Sequence, residues 1–70
     1  MELKIWEITP SGGFNEAPSF VYEVSSGDVG EVLRRHSWSP NWAAKVRFRY
    51  GEVFHRNEFG EVTAKASLSR

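Results

Sequence analysis

Seventy residues make one domain, and nine basic side chains offset nine acidic ones to a net charge of zero. That balance argues against indiscriminate coating of nucleic acid, and the lack of cysteine excludes a disulfide framework or a cysteine-ligated zinc. A chain this short buries only about 60% of the surface its unfolded form exposes, so its ten aromatic residues must carry much of the core. A homodimer is another way to bury more. No apolar run approaches the ~20 residues of a membrane span, and Met1–Glu7 lacks the basic-then-apolar plan of a signal peptide. We therefore expect a cytoplasmic protein.

Leu3 to Ile8 is rich in β-formers and reads as a strand. Leu3 and Ile5 lie on one face, Trp6 and Ile8 on the other, so the strand is covered on both sides or offers two apolar side chains to a partner. Thr9 to Ser19 contains Pro10, Gly12, Gly13, Asn15 and Pro18 and is expected to be a loop. Phe14 at its centre either tucks back onto the core or meets a ligand. Ser19 to Ser25 alternates, with Phe20, Tyr22 and Val24 pointing one way and Ser19, Val21 and Glu23 the other.

The stretch Ser25 to His36 predicts the single helix. A hydroxyl from Ser25 or Ser26 caps it, and Asp28 and Glu31 suit its positive end as Arg34, Arg35 and His36 suit its negative end. Val29, Val32, Leu33 and His36 form one stripe. Trp38-Ser39-Pro40-Asn41-Trp42 is a turn between two tryptophans. Ala44 to Tyr50 then gives the clearest period of two, with Ala44, Val46, Phe48 and Tyr50 on one side and Lys45, Arg47 and Arg49 on the other. Val53 to Arg56 and Val62 to Leu68 are further strands, joined by a turn over Asn57–Gly60. The expected fold is α+β, ordered β-β-α-β-β-β, with one short helix packed on one face of an antiparallel sheet.

Catalytic chemistry is hard to find. The two histidines, His36 and His55, lack a second ligand at metal-binding spacing, and Gly12-Gly13 does not continue into a phosphate-cradling motif. Ser37 and Ser39 sit in no nucleophile elbow. We expect no enzyme, no cofactor and no metal.

The functional signal is basic residues interleaved with aromatics. Residues 1–33 hold six acids and one base, and residues 34–70 eight bases and three acids. Arg34, Arg35, Lys45, Arg47, Arg49 and Arg56 share their stretch with Trp38, Trp42, Phe48, Tyr50 and Phe54. A strand presenting Lys45, Arg47 and Arg49 on one face is a ladder able to meet phosphates. The bland alternative pairs that ladder with Glu23, Glu52 or Glu61 and leaves the aromatics in the core. Trp38 and Trp42, beside Arg34 and Arg35, are the side chains most enriched where binding energy concentrates, unless both simply cap the core.

Tyr22-Glu23-Val24-Ser25-Ser26, the helix through Arg35, and Phe48-Arg49-Tyr50-Gly51-Glu52-Val53 together give a layout that resembles several small phage-encoded proteins. Among these it is similar in size and plan to anti-CRISPR inhibitors, some of which pack one helix on a curved antiparallel sheet. The resemblance implies a protein that occludes a nucleic-acid-binding surface on a host defence complex, in the host cytoplasm. It carries over no site residue, and zero net charge favours steric blocking over charge mimicry. The leading expectation is a non-enzymatic protein that blocks a protein partner through Arg34, Arg35, Trp38, Trp42, Lys45, Arg47, Arg49 and Arg56. The alternative is direct DNA or RNA binding by the basic strand face.

Overall fold

The computed structural model describes residues 1–39, 41–42, 45–46 and 51–69. Four alternating segments form strands: β1 (Glu2–Glu7), β2 (Phe20–Glu23), β3 (Glu52–Arg56) and β4 (Val62–Ser69). A 3-10 turn over Ser26–Asp28 runs into helix α1 (Val29–Arg35). All pairings are antiparallel and the strand order is β2-β1-β4-β3. This is the expected α+β layout of an antiparallel sheet with one short helix. Among the described residues no helix is long and apolar enough to cross a membrane.

Register decides the two faces. Leu3 pairs with Tyr22 and Leu68, Ile5 with Phe20 and Ala66, and Ala66 in turn with Val53, so these side chains share one face. Val29, Val32 and Leu33 of α1 join Leu3, Ile5, Val24, Val53, Ala64 and Ala66 in the core. The stripe read from the sequence is thus the buried one, and its fourth member, His36, reaches β2, where Nε2 lies 2.8 Å from the Tyr22 hydroxyl.

The opposite face is covered by the 9–19 loop. Trp6 Nε1 donates to the Glu16 carbonyl at 3.2 Å, and the Phe14 ring tilts against Phe54 at 6.0 Å. Lys65 lies over both Trp6 (4.7 Å) and Phe14 (5.2 Å) and pairs with Glu52 at 3.0 Å. Trp6 is therefore buried, while Ile8 stays partly exposed. The loop is held by Thr9, whose amide donates to the Gly13 carbonyl and whose hydroxyl accepts from the Gly13 amide.

The end of α1 is a reverse turn of definite type. Ser37 N–H donates to the Arg34 carbonyl and Trp38 N–H to the Leu33 carbonyl, both at 3.0 Å, the paired bonds of a Schellman cap. Ser37 takes the left-handed φ of 67° that this cap demands, a position usually given to glycine. The turn aims Trp38 back at Leu33, and its indole is only 3% exposed.

Three expectations need correction. Lys45 and Val46 have helical rather than extended backbone, as do Asn41 and Trp42, and the rest of the expected 44–50 strand lies outside the described residues. The described sheet accordingly has four strands. Trp42 and Val46 share a side in either period, so alternation alone could not choose. Ser39-Pro40 is also a helix-start signature, since proline is favoured at the first helical position. The third correction concerns the helix start. Neither Ser25 nor Asp28, the residues at the cap positions, bonds a first-turn amide; instead Ser25 Oγ donates to Asp28 Oδ2 at 2.8 Å.

Candidate binding groove beside the third strand

Among the described residues strand β3 forms one edge of the sheet, and an aromatic cluster gathers around its His55. His55 lies between two indoles, 4.9 Å from Trp38 and 5.3 Å from Trp42, which meet each other edge to face at 6.3 Å. Trp38 supplies the sealed side and Trp42 the half-open side. Burial lowers the His55 pKa below its ordinary value, because a charged imidazolium loses hydration between the rings. Its Nδ1 lies 2.8 Å from Thr63 Oγ1, which fixes the ring orientation.

Lys45 lies three residues on from Trp42, with Nζ 4.1 Å from the indole centroid. A contact of this kind at a wet site contributes about 0.5–1 kcal/mol. Trp42, Lys45, Glu52, Val53, Phe54 and Arg56 together line a shallow groove of about 250 Å³. Phe54 is 43% exposed, and Arg56 donates from Nη1 to the Gly60 carbonyl at 2.8 Å, which stiffens the hairpin beyond the groove. A register shift between His55 and Arg56 turns the strand here.

Three of the eight residues expected at a partner surface thus converge: Trp42, Lys45 and Arg56. Trp38 does not join them, because it belongs to the core; the end-capping alternative holds for this indole and only half for Trp42. Arg34 and Arg35 are exposed on the last turn of α1, where Arg35 pairs with Glu31 at 3.1 Å, a helical i,i+4 contact. Arg47 and Arg49 lie outside the described residues. Of the acids weighed as partners for that ladder, Glu23 binds the chain's amino terminus and Glu52 binds Lys65.

Sequence reasoning missed Phe59, which is 78% exposed at the tip of the β3–β4 hairpin. The tip is rigid because the Asn57 carboxamide oxygen accepts from both the Phe59 and Glu61 amides, at 2.9 and 3.0 Å. An aromatic inside an Asn-x-x-Gly turn was the available signal. A second cleft, of about 320 Å³, opens between the end of α1 and the sheet, with His36, Ser37, His55, Thr63 and Glu7 around it. Both imidazoles there already hold a partner hydroxyl. Among the described residues no three His, Cys, Asp or Glu side chains stand close enough to hold a metal ion.

Compared with protein-family models, with curated proteins and with solved structures, the chain matches none.

Proposed function

We propose that this protein works by docking onto another protein, with Trp42 as the anchor and Lys45, Phe54 and Arg56 around it. The observation that carries the reading is a half-buried indole with a cation over its ring and a partly exposed phenylalanine lining the same groove. A rigid ring already held in place loses little entropy on binding, so such a residue concentrates binding energy.

Among the described residues the groove holds two cations and one carboxylate. Phosphate tracking uses many more cations than that, because each neutralised phosphate contributes separately to affinity. We therefore favour a protein partner over DNA or RNA. Blocking is steric: an 8.0 kDa body seated on a partner covers whatever that surface otherwise binds. Extended to the phage inhibitors that the layout resembles, the partner is a nucleic-acid-processing complex, met on an acidic or apolar flank beside its basic cleft.

A mobility-shift assay with mixed DNA and RNA at low salt separates the two classes. We expect no shift; a shift that fades steeply with salt and is lost in Lys45→Ala/Arg56→Ala would establish the nucleic-acid reading instead. Trp42→Ala is expected to stay folded by circular dichroism and to weaken partner binding by at least about 30-fold, the scale of a 2 kcal/mol hot spot. Undiminished binding by the folded variant removes Trp42 as the anchor.

A further inference from the structure

The far edge of the sheet differs from the groove edge. Val24 N–H donates to the Met1 carbonyl at 2.8 Å, and Tyr22 and Phe20 continue that register against Leu3 and Ile5. In an antiparallel pair the residues between them turn their peptide groups away. Val21 and Glu23 therefore direct their N–H and C=O groups outward, and among the described residues no strand pairs with them. Ser19 does not share this, since its amide turns inward to the Ile5 carbonyl.

Edges left open in this way are normally guarded by lysine, proline or a bulge. Strand β2 is only four residues long and carries Glu23, but it has no lysine, proline or bulge within Phe20–Glu23, and its Val21 and Phe20 are 54% and 37% exposed. We infer that β2 is a self-association edge, pairing antiparallel with β2 of a second copy about a two-fold axis at Tyr22. This inference is independent of the groove reading.

Register and charge both favour a second copy as the occupant. With Tyr22 opposite Tyr22, Val21 of each chain faces Glu23 of the other, and every outward peptide group finds a partner in four new hydrogen bonds. On the face away from α1, Lys4 already lies across from Val21. The two-fold then adds the second copy's Glu23 to that row, so each Lys4, already 3.4 Å from Glu2, gains a second acid and each Glu23 a second base. The two Glu23 side chains approach only diagonally, and each already holds an ammonium at 3.0 Å. On the other face, Phe20 of each copy meets Val24 of its mate, extending the Phe20–Tyr22–His36 cluster. Added burial is what a 70-residue core lacks.

Sedimentation equilibrium decides the matter. The wild type is expected at twice 8.0 kDa, dissociating on dilution. Val21→Pro deletes an outward N–H without touching the β1–β2 bonds and is expected to be a folded monomer. Should proline disturb the strand, Val21→Lys makes the same test through a charge on the edge. The chain has no cysteine, and a non-hydrogen-bonded pair brings its Cα atoms to about 4.5 Å, within disulfide range. Tyr22→Cys should therefore form a covalent dimer in air. A wild type that stays at 8.0 kDa up to about 1 mM, where association is worth only about 4 kcal/mol, overturns the inference. So does a dimer that survives in Val21→Lys.

Discussion

The two faces of the sheet are covered by different means. On one, α1 lays three apolar side chains at helical spacing over a row built by strand alternation. On the other, an irregular loop reaches over Trp6 with one aromatic ring and one backbone carbonyl, and a lysine fills the space between. The helix side is a close-packed core. The loop side is an amphipathic cover, in which the methylene stem of Lys65 and the rim of Phe14 exclude water while their outer edges stay wet. A small domain can thus protect both sides of a sheet with only one helix, provided that the second side tolerates a looser cover.

The contrast can be broken most forcefully at Trp38. Trp38→Ala removes a buried indole from the helix side and should cost about 3–5 kcal/mol. A domain of this length is held by roughly 4–10 kcal/mol in total. Chemical denaturation should show the variant largely unfolded or close to it; a loss below 1 kcal/mol would mean that this side is not the core. Phe14→Ala probes the loop side, where a loss of about 1–2 kcal/mol is expected, with Trp6 emission shifting to the red as water reaches it. Equal losses at the two sites would erase the distinction.

The smallest effect belongs to His55, at the border of core and groove. Its folded-state pKa is lowered from the ordinary 6.5 by burial. Its neutral form therefore stabilises the fold above pH 6.5, and that contribution is lost as pH falls through the folded value. Melting temperature followed from about pH 7.5 to pH 5 should decline more in the wild type than in His55→Gln. Parallel curves would show that the imidazole carries no such linkage.

Strand alternation made β1, β2, β3 and β4 legible, because each keeps one apolar side toward the same layer. The α1 stripe was legible for the same reason. The cover over Trp6 was not, since Phe14 and Glu16 reach it from a loop that has no period to read. Positions 41, 42, 45 and 46 were misread where two local signals competed: alternating basic and apolar residues favoured a strand from 44 on, while Ser39-Pro40 favoured a helix start. The groove needs both tertiary facts, β3 at the sheet edge and Trp42 on a helical turn, so its constituents could be named from the sequence but not assembled.

The strand order also governs how the fold is reached. The central seam joins β1 to β4, with Glu2 opposite Ser69, so the sheet's innermost pairing spans nearly the whole chain. Closing a loop of that length costs about 4 kcal/mol of chain entropy before any contact repays it. The β1–β2 and β3–β4 halves can form locally and early, whereas the seam is a late, non-local step of the kind that slows folding. On a ribosome, β1 emerges before β4 and waits for it, and during that wait its inner rim is open to pairing with any other extended chain.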